Sequence, residues 1–461
     1  MTETNDTNNE NNISESELKP ESRRPVLRTS VGCKECNGPT KKFQTWCKSC
    51  IEKHFQDNFN KWTSGNEILD EFIRTVQMEE FRFSFTIEWI PFDRFSNIEF
   101  IKEGGFGTIS KAIWLDGYIH EWDLKQNEWK RAGRKNVCLK RIADSKDKIS
   151  MEFLDEIKKQ VKAISSRVIT IYGFTQDPES KDYMIVMQYS FEGSLREFLN
   201  KNYTSLTLYD KICILKDISC ALKDLQKESR LHQNLHPGNI IMIEKMDVAT
   251  PSLSDLGIYK PIRFYKSSSP SDNIPVYGVL PYVAPELLFD SKHSQESDIY
   301  SFGIIMHEVL TGIPPYYNVS HDGSLASKIV EGQRPEVKDN QLPPLLLDRM
   351  KECWDKDPDN RPMAQEMFSC LYGMEKNYNE KDSEIYKQIK DKDILDIDSS
   401  SPPPEDEINP LAIYTSRILD FNDLPRTINQ DCEKSSTEDI KEKNEKELGK
   451  STRCCNACVI C

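Results

Sequence analysis

Four cysteines near the N-terminus have the type and spacing of a metal centre. Cys33 and Cys36 form one C-x2-C pair, and Cys47 and Cys50 form a second after ten intervening residues. Two residues between thiolates let both face one ion, and a short connection brings the second pair round to close a tetrahedral S4 shell. That connection, "NGPTKKFQTW", supplies turn residues and an aromatic to cover the site. The chemistry expected is a structural Zn2+ ribbon, because four thiolates leave no open position for a substrate. The alternatives are four free thiols in a flexible arm, or a redox dithiol, which lacks the βαβ surroundings such a motif has.

Two further stretches carry chemistry. "IKEGGFGTISKA" sets Gly104, Gly105 and Gly107 between two strand-like runs. Glycines let a hairpin lie close over phosphates, although turns and bulges call for glycine as well. At the far end, "CVIC" at 458–461 fits the prenylation pattern on Cys458, with Cys454 and Cys455 upstream as acylation candidates. One lipid holds a membrane weakly and a second makes the anchor stable. An inert tail or a metal-binding thiol cluster are the other readings of these residues.

The elements that must position these groups follow from patterning. Ile51, Phe55, Phe59 and Trp62, then Ile68, Leu69, Phe72, Ile73 and Val76, recur at helical spacing on either side of Gly65, which predicts two short amphipathic helices. From about residue 93 strand-like runs come first ("NVCLKRI", "ITIYGFT", "YMIVMQY") and helical runs later ("DKICILKDISCALKDLQKE"). Strands followed by helices suggest an α+β arrangement or two lobes. Residues 1–30, rich in Asn, Glu, Ser and Thr, and residues 377–453, with "SSSPPPEDE", have the composition of disordered segments.

The whole chain has 461 residues, 37% hydrophobic and 30% charged, with a net charge of -14. That gives no basic face for a nucleic-acid partner. The first 25 residues lack an apolar core, so no signal peptide is expected, and no apolar run is long enough to span a bilayer. The expectation is a cytoplasmic chain with reduced thiols, membrane-associated only through its C-terminal cysteines.

Read in order, "IKEGGFGTISKA", "VCLK", "FLDEIKKQ", "YSFEGSL", "LHQNLHPGNII", "LSDLG", "GVLPYVAPELL", "ESDIYSFGIIMHEVLTG" and "CWDKDPDNRP" resemble the motif series of a protein kinase domain of the tyrosine-kinase-like branch, over about residues 93–376. The resemblance implies a two-lobed α+β fold, with a β-rich N-lobe at 93–189 and a helical C-lobe at 190–376. Before it would stand a disordered N-terminus (1–30), the zinc ribbon (31–52) and a helical linker (53–92). After it would come the disordered tail (377–453) and the cysteine cluster (454–461).

The resemblance also implies site residues, with ATP and Mg2+ as cofactors. Gly104, Gly105 and Gly107 would cover the phosphates, with Lys102 replacing the first glycine and stiffening the tip. Lys140 would hold the α- and β-phosphates and pair with Glu156. Ile109, Cys138 and Ile241 would line the nucleotide site, Met187 would be the gatekeeper, and Gln188, Tyr189 and Ser190 the hinge. Asn239 and Asp255 would ligate Mg2+. Glu286 would pair with Arg361, and Asp298 would anchor the catalytic loop. The long stretch "YIHEWDLKQNEWKRAGRKN" would form a hairpin insertion between the second and third strands.

The catalytic loop departs from the family's His-Arg-Asp pattern. It reads His232, Gln233, Asn234, Leu235, His236, Pro237, Gly238, Asn239, with the spacing intact. Asn234 stands where an aspartate takes the substrate proton, and an amide is not a useful base at neutral pH. Loss of a general base costs about 10²–10⁴ in rate. Gln233 lacks the charge that would meet a phosphate among Ser267, Ser268, Ser269 and Ser271 of the activation loop. Gln160 puts an amide at a position usually apolar, and Val279 replaces a threonine. His236, with an unperturbed pKa near 6.5, is a candidate substitute base.

The expectation drawn from this is a signalling pseudokinase that binds Mg-ATP, with impaired phosphotransfer, acting as a scaffold or allosteric partner of other signalling proteins, such as an active kinase. The alternatives are an active serine/threonine or dual-specificity kinase, and an adaptor that binds no nucleotide.

Overall fold

The computed structural model describes residues 32–40, 45–79, 86–104, 107–142, 145–146, 149–162, 167–245, 248–256, 276–289, 292–338, 341–391 and 403–421. The N-terminal 1–30, Gly105, the activation-loop serines and the C-terminal cysteines Cys454, Cys455 and Cys458 lie outside them. Two compact units divide at His54 and Phe55. Among the described residues no helix is long and apolar enough to cross a membrane.

In the first unit the four cysteines of the expected ribbon come together in one cluster. Cys33 and Cys36 flank a turn, Cys50 lies in the first turn of helix α1 (Lys48–Asn58), and no strand occurs among its described residues. Cys33 and Trp46 are buried, and His54 bonds Glu35 at 2.8 Å.

The second unit opens with helix α2 (Glu67–Glu79). Gly65 turns the chain at φ 78°, and the Asn66 side chain accepts from the backbone of Ile68 and Leu69, which caps the helix. The stripe Leu69, Phe72, Ile73 and Val76 is buried in the core of the N-lobe. Helix α2 of the predicted helical linker therefore packs into the N-lobe, because its apolar face has a sheet and a helix to cover it.

The lobe continues with β1 (Glu88–Trp89), β2 (Phe95–Gly104), β3 (Gly107–Trp114), β4 (Ile119–Asp123), β5 (Glu128–Arg131), β6 (Lys135–Arg141), helix α3 (Met151–Lys162), β7 (Ile171–Gln176) and β8 (Tyr183–Gln188). Six strands form one sheet in the order β1-β7-β8-β6-β3-β2, with β1 parallel to β7 and the other pairs antiparallel. Gly173 permits the β1–β7 approach, since a Cβ there would fall 1.9 Å from the Glu88 carbonyl oxygen. The expected insertion is present as the β4–β5 hairpin, closed by Trp122 edge-on to Trp129 at 4.7 Å. Arg131 fastens it to Glu88 with bonds of 2.9 and 2.7 Å. Phe72 meets Phe174, and Glu79 bridges Lys158 and Lys162, so α2 braces α3.

The C-lobe is helical: α4 (Leu195–Asn202), α5 (Leu208–Lys227), the hairpin β9 (Ile240–Lys245) and β10 (Val248–Leu253), β11 (Val276–Gly278), α6 (Gln295–Thr311), α7 (Gly323–Glu331), α8 (Pro344–Cys353), α9 (Ala364–Lys376) and α10 (Glu384–Asp391), followed by strand β12 (Arg417–Leu419). Capping boxes at Ser194, Thr207 and Ser294 start α4, α5 and α6. Gly312, at φ 72°, ends α6 in the left-handed conformation that β-carbons disfavour. The core runs through α5 and α6, where Ile212, Ile218, Phe302 and Ile305 are fully buried.

Two parts of the tail expected to be disordered are folded. Helix α10 buries Ile385, and residues 403–421 pack back on the lobe, with β12 antiparallel to β11. Average composition hid a short apolar stretch, "LAIYTSRILDF", which gains a strand partner and buries Leu419.

Candidate functional site

Between the lobes lies a cleft of about 290 Å³. The sheet supplies Ile109 from β3, Cys138 and Lys140 from β6, and Met187 and Gln188 from β8. Tyr189 and Ser190 follow β8, and Ile241 on β9 forms part of the other wall, with Asn239 and Asp255 also lining the cleft. These residues come from segments far apart in sequence, and strand pairing brings them together: Ile109 lies opposite Lys140, and Cys138 opposite Met187. Gly107 starts β3 at φ 135°, and Gly104 ends β2 opposite it. Burial pushes the Cys138 thiol up to about 11, so it is a small neutral lining group.

At the floor of the cleft the Lys140 ammonium meets the Asp255 carboxylate at 2.5 Å, both nearly buried. This corrects the expected Lys140–Glu156 pair. Glu156 instead bonds Lys159 one turn along α3, at 2.7 Å, and lines a separate cavity of about 280 Å³ with Gln233 and Leu256. Asp255 holds a positive φ of 59°, as does Gln233 at 69°. Non-glycine residues enter this region uncommonly, and six others among the described residues do so elsewhere in the chain.

Lys102 does more than stiffen a tip. Its ammonium reaches Glu197 on α4 at 2.8 Å, a clasp between N-lobe and C-lobe at the cleft. The other Glu197 oxygen accepts from the Ser194 backbone and hydroxyl, so one carboxylate both caps α4 and holds the clasp. Sequence patterning gave no sign of this pair, nor of Phe191 and Lys201, which also line the cleft.

The catalytic-loop positions sit beside the cleft. Buried Asp298 accepts from the backbone of His232 and Gln233 at 2.7 and 3.0 Å, the anchor the resemblance implied. Burial raises its carboxyl to about 6 despite those two donors. Arg361 grips Glu286 with two bonds of 2.6 and 2.8 Å. Asn239 donates to the Asn234 carbonyl at 2.9 Å, which leaves its own amide oxygen for other duty. Asn234 is buried and does not line the main cleft.

His236 is buried, and burial together with the neighbouring cations Arg196 and Lys140 holds it neutral well below its ordinary range. Its Nδ1 accepts from the Gly238 backbone at 3.1 Å, so the ring proton is assigned to Nε2. Nε2 therefore presents a hydrogen rather than a lone pair, which removes His236 as a substitute base in this arrangement. Gln160 is buried on α3. Its amide nitrogen reaches the Ile169 carbonyl only at 3.5 Å, and its oxygen has no partner among the described residues.

The four cysteine sulfurs lie within 4.8 Å of one another. The backbone amides of Gly38 and Cys50 donate to Cys36 Sγ and Cys47 Sγ at 3.3 and 3.4 Å. The donor set and its closeness fit a tetrahedral thiolate metal.

Comparison with known proteins agrees with the cleft. Residues 95–371 match the model of the family described as protein tyrosine and serine/threonine kinase. The chain is 27% identical over 288 residues to a probable serine/threonine-protein kinase of Dictyostelium discoideum, covering 60% of this chain and 19% of that protein. It is 27% identical to the serine/threonine-protein kinase VIK of Arabidopsis thaliana, over 60% of this chain and 59% of that one. It is also 27% identical to receptor-interacting serine/threonine-protein kinase 4 of Mus musculus, over 67% and 37% of the two chains. The match thus spans less than two thirds of each of these relatives.

Proposed function

The chain belongs to the protein tyrosine and serine/threonine kinase family, and from that premise we propose that it is a pseudokinase of the tyrosine-kinase-like branch that binds Mg-ATP but transfers phosphate poorly. The family's fold implies ATP and Mg2+. Lys140 would meet the phosphates, while Asp255 and Asn239 would ligate the metal, which supplies charge neutralisation between phosphate oxygens. Binding would exchange the Lys140–Asp255 bond for phosphate and metal contacts. Ile109, Cys138, Met187 and Ile241 would enclose the base, and the backbone of Gln188–Ser190 would meet its edge.

The observation that carries the reading is Asn234. It occupies the base position of a loop whose length and Asp298 anchor are retained. Its amide can orient a hydroxyl and cannot accept the proton, and neutral His236 offers no lone pair in its stead. Gln233, without charge, removes the means of reading a phosphorylated activation loop. The role is then that of a nucleotide-responsive scaffold or allosteric partner for other signalling proteins in the cytoplasm. The named relatives favour a second reading, an active serine/threonine kinase. The cysteine cluster would hold one structural Zn2+ through Cys33, Cys36, Cys47 and Cys50.

Radiolabelled phosphate transfer and thermal stabilisation by Mg-ATP, measured on wild type, Lys140→Ala and Asn234→Asp, separate the readings. Stabilisation that is lost in Lys140→Ala, without wild-type transfer, is expected. Wild-type transfer that disappears in Lys140→Ala establishes the active kinase, and absence of stabilisation establishes an adaptor without nucleotide. Less than one zinc per purified chain rejects the metal site.

A further inference from the structure

Residues 409–421 cross the C-lobe as a turn at 409–412 followed by a segment that ends in strand β12, and their contacts are those of a bound peptide. Strand β12 adds to the edge of β11, with Val276 opposite Leu419, Tyr277 opposite Ile418 and Gly278 opposite Arg417. Immediately before the strand, Ser416 is buried, and its hydroxyl lies 3.1 Å from Asn234 Nδ2, 3.3 Å from Asn234 Oδ1 and 3.0 Å from His236 Nε2. The Tyr277 hydroxyl donates to the Ser416 carbonyl at 3.0 Å. A serine hydroxyl is thus held on the side chain that replaces the proton acceptor.

The residues before the serine are fixed as firmly. Tyr414 stacks over the Arg196 guanidinium at 4.0 Å and donates to the Pro315 carbonyl at 2.9 Å. Arg196 forms a buried pair with Glu308 at 2.9 Å, so the tyrosine ring covers a charged pair that would otherwise face water. His321 takes the segment at two points: its backbone N–H donates to the Leu411 carbonyl, and its ring meets the Ile413 carbonyl, each at 3.0 Å. The Asn409 N–H donates to the Tyr317 carbonyl, and Arg417 donates to the His321 carbonyl. Leu419 is buried in the lobe core, whereas Ile418 faces outward.

We propose that this groove is a peptide-binding site which the chain's own residues 409–421 occupy, with Ser416 as a phosphoacceptor mimic, and that an extended segment of a partner protein with the same pattern competes for it. Main-chain pairing to an exposed strand edge gives affinity and alternate side-chain pockets give specificity. The pattern the groove selects is an aromatic two residues before a small hydroxyl residue, a basic residue directly after it, and a buried aliphatic three after it. Tethering raises the effective concentration of the tail to about millimolar, so a partner must displace it before the loop at Asn234 is open. The inference concerns the peptide groove and does not depend on whether the cleft holds nucleotide.

The test uses the full chain, a fluorescein-labelled synthetic peptide of residues 409–421, and the double variant Tyr414→Ala with Leu419→Asp, which removes the aromatic cover and the buried anchor. Fluorescence anisotropy is expected to show at least tenfold tighter peptide binding by the variant than by wild type, and loss of that binding when the peptide itself carries Tyr414→Ala. Amide hydrogen exchange of the wild type is expected to show protection at 417–419. In the variant, exchange at 276–278 should speed up and slow again on adding the peptide, with α5 and α6 unchanged. If the variant loses protection throughout α5 and α6, the wild-type exchange decides. Free exchange at 417–419 in the wild type, or equal peptide affinity of the folded variant and wild type, overturns the proposal.

Discussion

Replacing Gln160 with methionine is expected to stabilise the protein. The side chain is 2% exposed, on the buried face of α3. Its amide oxygen has no partner among the described residues, and its nitrogen makes one contact of 3.5 Å to the Ile169 carbonyl. A buried polar group without a partner costs about 1–3 kcal/mol. The contact that would be lost is at the limit of hydrogen-bond length and is worth at most about 0.5 kcal/mol. Methionine has nearly the same length and shape, so no cavity or clash enters the balance. The net expectation is a gain of about 1–2 kcal/mol, which raises the melting temperature by several degrees in a domain of this size. Urea denaturation of wild type and Gln160→Met, at equal m-value, reads it directly. A loss of 1 kcal/mol or more would mean that the amide is satisfied where the structure leaves it bare.

Three further outcomes follow from the same geometry. Burial holds His232 and His307 at about 4 and His236 well below its ordinary value, so the unfolded chain takes up protons there as pH falls below about 6.5 while the folded chain does not. Asp298, raised to about 6, works the other way and offsets one of the three. Stability should therefore fall by at least about 1.4 kcal/mol per pH unit between pH 6 and 5, and a melting temperature that rises over that range contradicts the burial. Glu286→Ala leaves the Arg361 side chain, fully buried, without its carboxylate and should cost about 3–5 kcal/mol in urea denaturation; a cost under 1 kcal/mol would show the pair to be incidental. Glu197→Gln keeps an acceptor for the α4 cap and removes the charge from the clasp. The pair is about 40% exposed on each side and is worth at most about 1 kcal/mol, so Mg-ATP association measured by stopped flow should speed up by no more than about fivefold at low salt, with the difference vanishing near 1 M. Slower association in the variant counts against a closing role.

Much of the cleft could be read from the order of the motifs. The runs "NVCLKRI" and "YMIVMQY" were legible as strands from their composition, and the structure pairs them with Cys138 opposite Met187; that they face one cleft came from the resemblance, because strand order leaves no local pattern. The insertion was legible as a long stretch between two expected strands, and the structure closes it as a hairpin on Trp122 and Trp129. What escaped depends on contacts between distant parts of the chain. Ser416 and Asn234 are 182 residues apart, and Lys102 and Glu197 are 95 apart, so neither pairing leaves a local pattern. Glu156 was assigned to Lys140 by motif position alone, whereas the structure gives Lys159 to the first and Asp255 to the second. The tail was misjudged because disorder was read from average composition, and thirteen residues with a strand edge to join are enough to fold.

The central question is whether the side chain at 234 limits phosphate transfer in a chain that holds Mg-ATP. The most direct measurement is transfer from γ-labelled Mg-ATP by the Tyr414→Ala, Leu419→Asp protein, with and without Asn234→Asp, so that the tail does not mask the loop. Restoring the carboxylate is predicted to raise the rate by about 10²–10⁴. Equal, measurable transfer by both proteins would contradict the account, because the amide would then be shown to suffice.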